Sequence, residues 1–350
     1  MATYDFIFDG LGLKDWCAAS ESGGAPMSLA DLVAKSAGGD SAPAPSVWDL
    51  PFPSLDELHK ACGAIPQTRD MTLGLEEGFL GVKDWLRIVL DPLTQPLSWM
   101  LDGALTAMLA MPWWLVFPLA MLAVFGVTRS LKLVGFVAAS LALLAFIDHY
   151  DTALQTLSII FVCAFLCVLF GVPIGIAMSR NDYVQRAVIP ILDMLQTLPP
   201  FVYLIPLIFL FSVTEPKLYG IAIILYAIVP VIRLTDLGIR LVDREVLEAA
   251  TAFGANRSQR LFAVQLPLAL PTIMAGINQT IMMALAMVVI ASMIGVKGLG
   301  QPVLKSITNQ YFTMGLLNGL AIVAIAIMFD RVSQAYAKRT QKHLEGMHGA

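Results

Sequence analysis

Charge is scarce in this chain of 350 residues: 14% are Asp, Glu, Lys or Arg, against 57% apolar residues and a mean hydropathy of +0.75. A soluble domain carries about 25% charged residues, so the composition excludes one and puts most of the chain in a bilayer. Also missing is any Gly-x-x-x-x-Gly-Lys-Ser/Thr run, the loop that cradles nucleotide phosphates. The chain is therefore expected not to hydrolyse ATP itself. Histidines at 59, 149, 343 and 348 are scattered, and the four cysteines at 17, 62, 163 and 167 match no zinc or redox spacing. No metal or cofactor is expected on this chain. Cys163 and Cys167 stand four apart in an apolar run and read as buried small hydrophobes. Cys17 and Cys62 could pair in an oxidising compartment, although the sequence holds no geometry for it. The start, with Asp5, Asp9 and Asp15 and a first basic residue at Lys14, lacks the basic and apolar regions of a cleaved signal peptide.

The charge that is present is split unevenly. Residues 1–107 hold 15 acidic against 6 basic residues, and the remainder 11 against 16. Seven apolar stretches meet the ~20-residue length of a membrane helix, at about 108–127, 131–147, 154–178, 188–212, 218–237, 269–295 and 312–330, the second being the shortest. Residues 85–107 carry Arg87, Asp91 and Asp102 with Pro92 and Pro96, and each charge would cost about 2.5–3.5 kcal/mol at mid-bilayer, so this stretch reads as an amphipathic interfacial segment. With the amino end outside, 13 basic residues fall in cytoplasmic segments, and only Lys217, Lys297 and Lys305 lie in outer loops. The positive-inside rule thus selects amino end out and carboxyl end in. Residues 1–84 form an acidic external tail, rich in Gly, Ser and Pro between 17 and 55 and read as flexible. Residues 108–151 supply two accessory helices, 152–335 the core, and 336–350 a cytoplasmic tail.

Between two apolar runs lies a polar island, Glu248-Ala249-Ala250, three residues, Gly254, nine residues, Val264, one residue, then Leu266-Pro267. Asp243 can cap a helix beginning at Arg244, Gly254 can end it in a left-handed conformation, and Asn256 with Gln259 has the form of a capping box. Pro267 marks where the second helix must stop or kink on entering the membrane. The expected product is a helix–turn–helix elbow over 239–267, with alanines that let a partner approach closely and Glu248 offering it a carboxylate. An interfacial hairpin is the competing reading, but it has no need of Gly and Leu-Pro at these separations.

The island's spacing resembles the EAA loop of permease subunits of ATP-binding-cassette importers, with Val264 where that pattern favours Ile. Leu195 to Pro206 (LQTLPPFVYLIP), Ile277 to Gly295 and Gly298-Leu-Gly-Gln301 look like the ProW-type permeases of glycine betaine and proline betaine importers. The similarity covers about residues 152–335, and a long external tail also resembles the family's enteric member. It implies an all-α polytopic bundle of the type I importer permease fold with about seven membrane helices, in a bacterial inner membrane. It further implies two cytoplasmic ATPases holding ATP and magnesium, an external or periplasmic substrate-binding protein, and a second permease subunit, most simply a copy of this chain. Osmoprotectants such as glycine betaine, proline betaine or choline would move inward. Lipid surrounds the spans, and no nucleic acid is expected.

Gln196, Thr197, Asn278 and Gln279 sit within apolar spans and need partners there. They either glue helices together or line the translocation route. Pro199-Pro200 frees backbone carbonyls in mid-span, as at transporter cavities, and Phe201 and Tyr203 could face a quaternary ammonium. Packing is the alternative for each. Asp193 reads as an interfacial group within reach of Arg186 or Arg233. Two rival functions remain: an ion-coupled secondary transporter, for which neither inverted repeats nor coupled intramembrane charges are evident, and a non-transporting scaffold or sensor subunit.

Overall fold

The computed structural model describes residues 52–348 together with Tyr4, Gly12 and Cys17. The expected flexible stretch 17–55 falls almost wholly outside the described residues. Two compact units divide the chain, Met1–Leu86 and Arg87–Ala350. In the first, α1 (Leu55–Ala61) is capped by Ser54, whose Oγ accepts from the Glu57 amide, and the Thr68 amide donates to Asp56 at 2.9 Å. Cys17 and Cys62 are joined in a disulfide.

Among the described residues every regular element is helical. After α2 (Thr68–Ala110) come α3 (Trp113–Thr128), α4 (Leu131–Phe146), α5 (Tyr150–Arg180), α6 (Asp182–Thr197), α7 (Pro200–Leu210) and α8 (Pro216–Arg240). Then follow α9 (Arg244–Ala252), α10 (Arg257–Gln259), a π-helical turn (Arg260–Gln265), α11 (Leu266–Ala291), α12 (Gly300–Thr308) and α13 (Phe312–His348). The segment expected at the interface, 85–107, is thus an internal part of one helix that starts at Thr68. Two of its charges, Arg87 and Asp91, are paired within the second unit: Lys217 at the start of α8 lies 2.7 Å from Asp91 and 2.9 Å from Glu215, and Arg87 reaches both carboxylates. Lys217 is buried by this knot and stands 5.1 Å over the Phe211 ring.

Among the described residues four helices are long and apolar enough to span a membrane singly: Tyr150–Arg180, Pro216–Arg240, the run Arg257–Ile294, and Phe312–Arg339. Two bent pairs, α2 with α3 at 114° and α6 with α7 at 96°, satisfy the criterion only together, and α4 is a shorter apolar helix. The expected span 188–212 is therefore two helices. Leu198 is held extended (φ −67°, ψ 129°), the conformation forced on a residue before proline, and Pro199 and Pro200 can donate no backbone hydrogen bond to continue α6. The expected tail 336–350 likewise begins as an unbroken continuation of α13, which runs to His348.

α5, α8 and α11 form the buried centre, with Ile223, Ala227, Val229, Val231 and Met287 fully enclosed. In hydrocarbon no hydrophobic force draws helices together, so close backbone approach supplies the adhesion. A Cβ on Gly175 would lie 2.7 Å from the Ile232 carbonyl, and one on Gly276 3.2 Å from the Pro230 carbonyl. Only glycine fits at these two crossings. Cys163 and Cys167 are free thiols buried against α8, as small apolar residues would be.

Candidate functional site

The elbow is built by local hydrogen bonds that its sequence specifies. Asp243 accepts from the Glu245 amide at 3.0 Å and starts α9. At the other end Gly254 takes φ +80°, its amide donates to Thr251 and the Ala255 amide donates to Ala250, both at 3.0 Å. This pair of bonds is a Schellman closure, which satisfies two of the carbonyls a helix end leaves open. Asn256 and Gln259 then cap each other reciprocally at 2.8 and 2.9 Å, forming the expected capping box. Arg260 donates to the Thr251 hydroxyl and ties the second arm to the first.

Of the two outcomes expected at Pro267, the helix does not stop: a π turn over Arg260–Gln265 distorts it just before the proline and the run continues into α11. A wider turn relieves the clash that a proline ring makes with the preceding turn of a regular helix. Glu248, Ala249 and Gly254 are exposed, Ala250 half-buried, and Phe253 at the tip is 94% exposed. Val264, Leu266 and Pro267 are half-buried at the base. Beneath the elbow, Val242, Leu261, Ala269 and Ile273 form an apolar cluster with Leu247 and Leu266 packed on it.

The root of the elbow carries a polar network that sequence reading missed. Arg240, the last residue of α8, donates at 2.8 Å to Asp236, to the Met178 carbonyl at the end of α5, and to Asp182 at the start of α6. Gln185 donates to the second oxygen of Asp236, which is 7% exposed. The same end of the bundle holds the Arg233–Asp193 ion pair, one of the two pairings open to Asp193. The signal in the sequence is Asp236 and Arg240 one turn apart at the end of an apolar run, a spacing that also fits two unrelated surface charges.

The expected pathway residues divide. Gln196, Thr197, Pro199 and Phe201 are exposed around the α6–α7 break, with Gln196 Nε2 3.9 Å from the Met283 sulfur. Pro200 is half-buried, and Tyr203 is turned inward, its hydroxyl buried without a hydrogen-bond partner among the described residues. Gln279 is exposed, whereas Asn278 is occupied: it donates to Asp330 at 2.9 Å and accepts from the Ser333 hydroxyl at 2.7 Å. Asn278 thereby fastens α11 to α13.

A central core with a capped elbow on one face defines a polytopic membrane component. Residues 167–342 match the model of the family described as binding-protein-dependent transport system inner membrane component, and the chain belongs to that family. It is a multi-pass inner-membrane component of such a transport system, and among the described residues it is all-α. Among its relatives is the glycine betaine/proline betaine transport system permease protein ProW of Escherichia coli, 39% identical over 85% of this chain and 81% of that protein. The glycine betaine transport system permease protein OpuAB of Bacillus subtilis is 43% identical over 64% of this chain and 75% of its own length. The glycine betaine/carnitine transport permease protein GbuB of Listeria monocytogenes is 38% identical over 76% of this chain and 91% of that one.

Proposed function

We propose that this permease moves glycine betaine, proline betaine, choline or a related methylated amine inward, and that the elbow at 239–267 receives the work of a separate cytoplasmic ATPase. Two copies of the ATPase hold ATP and magnesium, and this chain holds neither. Substrate arrives from a binding protein outside, and a second copy of this chain completes the permease. The observation that carries the reading is the elbow itself: closed by a Schellman bond pair and a capping box, it presents Glu248, Ala249 and Phe253 outward and is rooted by Arg240 in three core helices. Such a part is stiff enough to carry a displacement and exposed enough to be gripped.

The names of the relatives support the substrate class. The disulfide between Cys17 and Cys62 supports an external amino-terminal region, because disulfides persist in oxidising compartments. For the route, Gln196, Thr197, Pro199, Pro200, Phe201, Tyr203 and Gln279 are assigned to its wall, where the half-exposed Phe201 ring offers a face to a quaternary ammonium. Asn278 is assigned to the same wall as a group that holds α13 in place.

Reconstitution in proteoliposomes tests the proposal. Uptake of labelled glycine betaine is expected only with the ATPase inside, ATP, and the external binding protein. Uptake driven by an ion gradient alone would replace the reading with a secondary carrier, and absence of uptake with an active ATPase would remove the substrate assignment. Alanine at both Gln196 and Asn278 is expected to depress uptake and substrate-stimulated ATP hydrolysis, and unchanged values would dismiss the route.

A further inference from the structure

Where the accessory helices α3 and α4 meet the core helices α5 and α13, the second unit encloses a crevice of about 430 Å³. Its walls include Ala120 and Ala123 of α3, Leu141 of α4, Phe161 of α5, and Met328 and Val332 of α13. No residue lining it carries a charged or hydrogen-bonding side chain. The volume lies within the ~300–1,000 Å³ of small-molecule sites. Water has no partners in such a space and would not fill it.

One end of the crevice is basic. Arg339 lies on the same face of α13 as Val332, two turns further on, and its guanidinium donates at 3.1 Å to the carbonyls of Gly126 and Val127 in the last turn of α3. Arg129 caps α3 in a left-handed conformation, Lys132 stands in the first turn of α4, and both are exposed. Among the described residues no carboxylate forms an ion pair with any of the three. This is the face from which the elbow projects, since α13 runs antiparallel to α11 through the Asn278–Asp330 contact and passes Arg339 on the way to that side.

We propose that this crevice with its basic rim is a binding site for an anionic phospholipid of the elbow-side leaflet, the acyl chain lying against Ala123, Leu141 and Met328 and the phosphate against Arg129, Lys132 and Arg339. A chain already in hydrocarbon gains no hydrophobic transfer energy on entering the crevice, so packing alone selects little between lipids. Selection falls to the headgroup. Three cations without a carboxylate partner among the described residues favour a headgroup of net negative charge, and basic pockets between membrane helices hold such headgroups generally. The site stands apart from the elbow and the α6–α7 break, and it does not depend on the substrate or ATPase assignments.

The full chain, purified from bacterial membranes in mild detergent, is to be exchanged with phosphatidylglycerol or phosphatidylcholine and examined by native mass spectrometry and thermal unfolding. Phosphatidylglycerol is expected to stay bound through mild activation and to raise the thermal midpoint, and phosphatidylcholine to do neither. The double variant Lys132→Gln with Arg339→Gln is expected to lower phosphatidylglycerol retention by about fivefold or more. Ala123→Trp, which fills the crevice from its exposed side, is expected to abolish retention, while Lys297→Gln, a basic residue elsewhere, leaves it unchanged. Equal retention of both lipids, retention unaffected by the double variant, or disulfide trapping of two chains through Leu119→Cys in native membranes would each overturn the site, the last by placing a second copy there.

Discussion

A single backbone torsion decides whether the elbow closes. Gly254 sits at φ +80° with open space around the position where a Cβ would be, so a side chain there meets strain rather than a clash. Gly254→Ala is expected to cost the turn about 1–2 kcal/mol and leave insertion and expression intact, while ATP-driven uptake falls; normal uptake with normal ATPase assembly would remove the elbow from the coupling path. Arg240 presents the opposite case, since its loss leaves the buried Asp236 without a counter-charge, held by the Gln185 amide alone. With a third of the Arg240 side chain exposed, Arg240→Gln is expected to cost about 3 kcal/mol, the low end for a broken buried pair. Asp236→Leu combined with Arg240→Leu should regain most of that in thermal unfolding, because no orphan charge remains. These two residues also mark how far the sequence could be read. Asp243, Asn256 and Gln259 accept from amides, and Gly254 donates to a carbonyl, all within three residues of themselves, so their roles were visible in order along the chain. Arg240 finds Met178 and Asp182 at separations of 62 and 58 residues, and Gln185 finds Asp236 across 51. Nothing local encodes such meetings.

Prolines account for most of what was misjudged among the elements. The run 188–212 is apolar enough to look like one span, yet Pro199 and Pro200 withdraw consecutive donors and turn it by 96°. The break was written in the sequence as a cost to helix hydrogen bonding, but composition over a twenty-residue window outweighed it. Pro267 does not end its helix, and the distortion beside it takes the form of a π turn that no residue type announces. Replacing Pro199 and Pro200 together by alanine is expected to let α6 and α7 fuse into a straighter helix and to abolish transport at normal expression. Spin labels placed at 189 and 209 would then separate, and an unchanged distance would show that tertiary packing, not the prolines, sets the bend. Length misled at the carboxyl end, where polar residues after 335 read as a tail but favour helix as strongly as the span they extend.

For the whole molecule the decisive quantity is sidedness. With the amino end out, a cysteine introduced at Glu248 is expected to resist impermeant thiol reagents in intact cells and react after permeabilisation, while one introduced at the exposed Phe52 reacts from outside. Reactivity of position 248 in sealed cells would invert the topology. The apolar runs that become α5, α8 and α11 were legible from composition, and their meeting around Gly175 and Gly276 was not, because a glycine that permits contact looks like any other until its neighbour is known. One continuity matters at this scale. From Arg257 to Ile294 the backbone is helical without a joint, about 57 Å at 1.5 Å per residue, and it first loosens at Gly295 and Gly298, both in the left-handed half of backbone space. There the Leu299 amide rests on the Thr156 hydroxyl of α5. On the reading proposed above, a push on the elbow would travel along this one helix toward Gly295 and Gly298, like a lever pivoting near its far end.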